Sequence, residues 1–225
     1  MDNPFTQATE DYLKTIYDLT RSSERASTNQ IADRLKIKPA SVTGMLKKMA
    51  QNNPPLVDYQ KHHGVSLTPE GERSALKVIR LHRLLECFLH ETLGYEWDAL
   101  HAEACRLEHV VSDEFEQRIA EALGNPSHDP HGDPIPDEHL NMPVDMTISL
   151  SDLCVGQRAT IQRVRDRDAD LLRDLSQRGV IPGAGITVLD YSPFDGNLHL
   201  QVHEQAETVV LGPRTAHEIF VEIIP

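Results

Sequence analysis

The sequence predicts an α+β multidomain chain: a three-helix unit ending in a hairpin, an all-α middle domain, and a small C-terminal β-barrel. Three observations predict it. Residues 1–75 carry three helical apolar patterns and then two short strand patterns. Residues 69–124 keep helical periodicity throughout. From Thr147 to Pro225 the apolar residues recur in short alternating runs between turn residues. The 225 residues have room for one large domain or two to three small ones. The boundaries are placed at 1–75, 76–141, a linker at 142–149, and 150–225.

The elements follow in order. ATEDYLKTIYDLTR sets Tyr12, Leu13, Ile16, Tyr17 and Leu19 at helical spacing. ASTNQIADRLK is a short second helix capped by Ser27 or Thr28, with Ile31, Ala32 and Leu35 turned inward. PASVTGMLKKMAQNN is a third, with Pro39 in its first turn and Val42, Met45, Leu46 and Met49 as its apolar stripe. LVDYQKHHGVSLT reads as two strands around a turn at His63-Gly64. TPEGERSAL opens a helix whose apolar face runs from Leu76 to Leu89. A further helix is expected from about Trp97 to Ser112, and SDEFEQRIAEAL continues it or forms another. GNPSHDPHGDPIPDEHLNMPVD holds five prolines, so it is neither helix nor central strand and reads as linker plus ordered turns. ATIQRV, GITVLDY, NLHLQV, ETVVLG and IFVEII are short strands, with DADLLRDLSQRG a helix between the first two. That spacing fits a barrel of five or six strands.

Composition excludes several classes. MDNPFTQATE lacks the basic start and apolar core of a signal peptide. No apolar run approaches the ~18 residues of a membrane helix. Cys87, Cys105 and Cys154 are odd in number and widely spaced, which argues for a reducing cytoplasm and against a disulfide framework. The formal net charge is −13, unfavourable for nucleic acid as a total. Its distribution is not. Residues 1–75 carry ten Lys/Arg and nine Asp/Glu, and the remainder twelve and twenty-six. Between Arg34 and Lys61 six basic residues face one acid, Asp58. This basic island, rather than the total, decides where phosphate docks.

Three helices with a basic third helix and a following hairpin make a winged helix-turn-helix. The third helix would enter the major groove of double-stranded DNA and present Lys38, Ala40, Ser41 and Thr43 to base edges, while Lys47, Lys48 and Lys61 hold phosphates. Gly44, beside them, reads no base.

The stretch HAEACRLEHV, residues 101–110, holds His101, Cys105, Glu108 and His109. At roughly 100° per residue all four fall within an arc of about 100° on one helical face. RLHRLLE adds His82 and Glu86 at i,i+4, and Asp11 sits in the first helix. A set of Asp, Glu, His and a single Cys is harder than a structural zinc set and suits Mn(II) or Fe(II). His128 and His131 read as turn residues.

In order and spacing, TEDYLKTIYDL, QIADRL, PASVT, LVDYQKHHGVSLTPEG, HRLLE, HAEACRLEHVVSDE and HGDPIP resemble the diphtheria toxin repressor, or iron-dependent repressor, family of metal-dependent transcriptional regulators, including its manganese-responsive branch. The C-terminal region looks like the FeoA-type, SH3-like barrel that ends many members. The resemblance implies a homodimer that binds a palindromic operator when loaded with Mn(II) or Fe(II) and controls metal-homeostasis genes. It implies a primary site similar to Asp11, Cys105, Glu108 and His109. An ancillary site looks like His82, Glu86 and His101, with Asp166 or Asp168 as third-domain ligands, so two metal sites per protomer. Two departures stand out. Iron-type members usually have Met at the position of Asp11. Manganese-type members have Asp there, but Glu at the position of Cys105 and a second carboxylate at that of Lys14. The hard carboxylate of Asp11 leans toward Mn(II) and the thiol toward Fe(II) or later metals. The second departure is Gly44, where relatives carry a long polar side chain.

A metal held by Asp11 and by ligands of the middle domain would tie the DNA-binding helices to the dimerisation domain, so metal and DNA would favour one state. The rivals are a metalloenzyme, with Cys105 or a metal-bound water as nucleophile and Glu108 as base, and a metal-binding adaptor whose barrel takes a peptide. The metalloenzyme leaves the basic winged helix unexplained, and the barrel could take a peptide as a side role.

Overall fold

The computed structural model describes residues 5–21, 23–165, 168–203, 205 and 207–224. The chain forms two compact units. The first comprises Met1–His82, Glu108–Glu116 and Pro136–Asn141, and the second Arg83–Leu107, Gln117–Ile135 and Met142–Pro225.

In the first unit, α1 (Gln7–Thr20) is capped by Thr6, whose side chain accepts from the Thr9 amide. α2 (Thr28–Leu35) begins on a capping box in which Ser27 and Gln30 satisfy each other's backbone amides. It stops where Lys36 turns left-handed at φ 54°. α3 (Pro39–Ala50) starts on Pro39, whose missing N–H lies where helices leave amides unpaired anyway. β1 (Val57–Gln60) and β2 (Gly64–Leu67) pair antiparallel from Val57↔Leu67 to Gln60↔Gly64. The turn between them is Lys61–His63, with His62 at φ 69°, so it falls slightly earlier than expected. The core joins Tyr12, Leu13 and Ile16 to Ile31, Ala32, Val42, Leu46, Met49, Val57 and Val65. Tyr17, Leu19, Leu35 and Met45 pack at its edge. Each large apolar side chain removed from water contributes about 1.5–3 kcal/mol.

α4 (Pro69–Glu91) starts at Thr68, whose hydroxyl accepts from the Gly71 amide at 3.1 Å. Gly71 is required there, because a Cβ would sit 1.9 Å from the Leu56 carbonyl oxygen. In the second unit, Trp97–Ala99 form a single 3-10 turn before α5 (Leu100–Leu107). The long helix expected to Ser112 is therefore shorter. Glu108–Val110 form a turn, and α6 (Asp113–Ala122) begins after Ser112, whose hydroxyl accepts from the Phe115 amide. The β-branched pair Val110-Val111 and a strong N-cap residue end one helix and start another.

The proline-rich stretch is more ordered than a linker. Asp129, His131 and Ile135 are buried, and the loop docks on β4 (Arg158–Val164) through Val164 N to His131 O at 2.9 Å. At Gly132, φ is +84° and a Cβ would lie 1.8 Å from the Gln162 carbonyl oxygen.

The C-terminal region is an antiparallel sheet of β3 (Ile148–Ser149), β4, β5 (Gly185–Tyr191), β6 (Leu198–Val202), β7 (Thr208–Leu211) and β8 (Ile219–Ile224), in spatial order β3-β8-β4-β5-β6-β7. α7 (Ala169–Gln177) follows β4 as expected, and α8 (Pro213–His217) precedes β8. Alternate residues such as Ile186 and Val188, or Leu198, Leu200 and Val202, are buried, as are Ile161, Leu172 and Leu175. Among the described residues no helix is long and apolar enough to cross a membrane.

Candidate metal centres and nucleic-acid interface

The DNA-facing candidates sit on the first unit's surface. Lys38 is the N-cap residue of α3; Lys38, Ala40, Ser41, Lys47, Lys48 and Lys61 are exposed, and Gly44 is exposed with open space around it. Thr43 is half-buried, and its hydroxyl donates to the Pro39 carbonyl at 3.2 Å. That bond leaves its oxygen as an acceptor. Arg25 braces the hairpin by donating to the Asp58 carboxylate at 2.9 Å and to its carbonyl at 2.6 Å. That pairing holds the exposed Asp58 carboxyl below its ordinary range. The hairpin tip adds exposed His62 and His63, which the sequence reading did not single out.

Three carboxylate and imidazole side chains converge in the first unit. Asp11, Glu108 and His109 each offer a ligand atom, and these atoms lie within 4.8 Å of one another. His109 Nε2 is 3.2 Å from Asp11 Oδ1 and 3.3 Å from Glu108 Oε1, while Nδ1 faces Glu10 at 2.5 Å. Both ring nitrogens thus face carboxylate oxygens, which when ionised offer only acceptors. A convergence of acceptors is resolved by a cation, and a histidine anchored through its other nitrogen is how ligating rings are held. The donor set therefore fits a hard divalent metal. Glu10 is 4 % exposed. Sequence reasoning missed it, because an acidic residue in the first turn of a helix reads as a solvated dipole partner.

Glu108 has further partners in the same unit. His82 Nδ1 makes a very short contact with Oε2, and Lys14 Nζ lies 2.7 Å from Oε1 and 2.8 Å from Oε2. Burial alone would raise this carboxyl, but the His82 and Lys14 partners prevail and hold it at about 2.

The other candidates divide between the units. His82 belongs to the first unit; Glu86, His101 and Cys105 belong to the second. On α5, Cys105 Sγ lies 3.6 Å from His101 Nε2, and His101 Nδ1 lies 3.5 Å from Glu86 Oε1. The three-residue group in the first unit does not include Cys105. Because the helix ends at Leu107, Glu108 and His109 leave the helical face expected to carry all four. Asp168 caps α7, accepting from the amides of Asp170 and Leu171, and is in none of the metal-capable groups found among the described residues. Asp166 lies outside the described residues.

A second group forms where the sequence suggested only turns. Glu86, Asp129 and His131, all buried, bring ligand atoms within 4.8 Å of one another. His131 Nε2 donates to the Trp97 carbonyl at 3.1 Å, which directs Nδ1 toward Glu86 Oε2 at 3.8 Å. Trp97 Nε1 donates in turn to the Pro130 carbonyl at 3.0 Å. Asp129 Oδ1 accepts from the amides of His131 and Asp133. Arg83 Nε is 3.7 Å from Asp129, and the same guanidinium reaches Asp133. Burial, Glu86 and Asp133 push the Asp129 carboxyl well up. At His131 burial opposes the charged ring, yet Glu86 and Asp129 outweigh it and raise the imidazole. Both shifts mark a pocket with surplus negative charge, which a divalent ion would neutralise. The visible signal was the i,i+2 pair Asp129 and His131 inside DPHGDP; proline and glycine around it masked its burial.

The comparisons with known proteins agree along the whole chain. Residues 4–65 match the family described as "Iron dependent repressor, N-terminal DNA binding domain", residues 68–137 "Iron dependent repressor, metal binding and dimerisation domain", and residues 148–223 "FeoA domain". The iron-dependent repressor IdeR of Mycobacterium leprae (strain TN) is 34% identical over 98% of this chain and 99% of its own. A solved manganese-dependent transcriptional repressor in complex with manganese superposes with a TM-score of 0.89 at 36% identity, covering 96% of this chain and 100% of that one. The manganese regulator SloR superposes at 0.79 and 32% identity, covering 96% and 98%. The chain belongs to the iron-dependent repressor family of metal-dependent transcriptional repressors, which are DNA-binding regulators and not enzymes.

Proposed function

We propose that the protein is a cytoplasmic, Mn(II)-responsive repressor that binds a palindromic operator as a homodimer and silences genes of metal homeostasis, with Fe(II) as the alternative activating ion. One observation carries the reading: Asp11, on α1 of the DNA-binding region, shares a donor group with Glu108 and His109, which follow α5. A divalent ion would counter the negative charge that Asp11 and Glu108 bring to this group, where Lys14 already pairs with Glu108. Asp11, Glu108 and His109 would hold it, and Glu10 would orient the imidazole. Asp11 thereby fixes α1, and α1 packs on α2 and through the shared core on α3. Metal and operator then stabilise the same arrangement of the recognition helix, and each tightens the other. Glu86, Asp129 and His131 form a second candidate centre, with His101 beside Glu86. Both groups are built from oxygen and nitrogen donors, which supports Mn(II) over thiophilic ions.

The test is operator binding by the full chain to promoters of metal-transport genes, with Mn(II), anaerobic Fe(II), or chelator. Retardation with Mn(II) or Fe(II) and none in chelator is expected. Asp11→Ala is expected to keep the native circular-dichroism spectrum and lose metal-dependent DNA binding. An Asp11→Ala protein that still binds operator only when metal is added would overturn the assignment of this centre.

A further inference from the structure

Lys14 lies one turn beyond Glu10 and Asp11 on α1, and it is 8 % exposed. Its Nζ is 2.7 and 2.8 Å from the two Glu108 oxygens and 3.3 Å from His82 Nδ1. Burying an ammonium is costly unless it is closely paired, and here the pairing takes both oxygens of one carboxylate. That carboxylate is also the one whose Oε1 faces His109 in the donor group. An ammonium has no lone pair to offer a metal. It is a rival positive charge at the same oxygens.

We propose that Lys14 is a built-in competitor for metal at this centre, so that its ion pair with Glu108 sets the metal concentration at which Asp11, Glu108 and His109 are filled. The inference rests on the reading that these three residues bind the activating ion. A divalent ion held there has to share Glu108 with Lys14 or displace it, and in either case faces a like charge a few ångströms away. Partial burial keeps water from screening that repulsion. A neutral side chain of similar length would keep a hydrogen bond to Glu108 and remove the competition.

The experiment is Mn(II) titration of the full chain by calorimetry, comparing the wild type with Lys14→Gln, Lys14→Arg and Asp11→Ala. The heat that Asp11→Ala abolishes identifies the centre. For that component, Lys14→Gln is expected to bind Mn(II) tighter by about tenfold or more, while Lys14→Arg, which keeps the charge, stays near the wild type. A native Lys14→Gln whose affinity is unchanged or weaker overturns the proposal and leaves the centre itself intact. A titration that Asp11→Ala does not alter removes the centre and the proposal with it. Should Lys14→Gln fail to fold, lysine ammonium resonances of the wild type decide, with Lys14 assigned by comparison with Lys14→Arg. The Lys14 signal is expected to shift or vanish on saturation with diamagnetic Cd(II). A signal unmoved at saturation overturns the proposal.

Discussion

Both ring nitrogens of His109 face carboxylates, Nδ1 toward Glu10 and Nε2 toward Asp11 and Glu108. Glu108 and His109 were legible as candidates from sequence because carboxylate and imidazole side chains cluster in residues 101–109, whereas Asp11 stood alone in the first helix and took its candidate role from the family resemblance. Glu10 and Lys14 were not, because a helical wheel does not tell a solvated charge from one folded under a neighbouring element. Glu108 shows what that environment does. Its folded value near 2 lies below its ordinary 4.5, so its contribution to stability is complete above about pH 4.5 and is lost as pH falls toward 2. The contribution is on the order of 3 kcal/mol. Chemical denaturation in chelator is expected to find Glu108→Gln less stable than the wild type near neutrality, with the gap closing between pH 4.5 and 2. A gap that does not change with pH would mean that its ion pairs add nothing.

At the scale of elements, periodicity located α1 to α4 and the five longer strands, because each buries one continuous stripe or one alternating face. It overran α5, because the residues after Leu107 keep a plausible helical face while Val110-Val111 and Ser112 end the helix locally. It under-read the loop from Asn125 to Ile135 for the opposite reason. Its three prolines, Pro126, Pro130 and Pro134, mark where regular structure is impossible, yet they leave open whether the chain packs. Packing here depends on Gly132, which brings the loop against β4 with no room for a Cβ. Gly132→Ala is expected to cost about 2–4 kcal/mol, read as a lower melting temperature. In metal titrations it should weaken the Glu86, Asp129 and His131 group while leaving the Asp11 group filled. Equal loss at both would mean that the damage is general unfolding.

At the scale of the whole molecule, the chain combines a net charge of −13 with a basic surface on the winged helix. The acidic remainder would repel DNA, which supports the proposal that the operator is met through that island. The sequence made this asymmetry visible, since charge counts need no coordinates, whereas the partition of metal-capable residues between two compact units required the fold. The chain also holds a single tryptophan. Its indole ring is centred 5.0 Å from the His131 ring and tilted by 32°, while its carbonyl accepts from that same imidazole. The protein thus carries its own optical reporter at one of its two candidate centres. Paramagnetic Mn(II) held by His131 would quench the indole emission, so a fluorescence titration should follow that centre alone, and His131→Ala should silence the response without dimming the tryptophan itself. Filling of the two centres can then be timed separately in one unlabelled molecule, by light at Trp97 and by heat at Asp11.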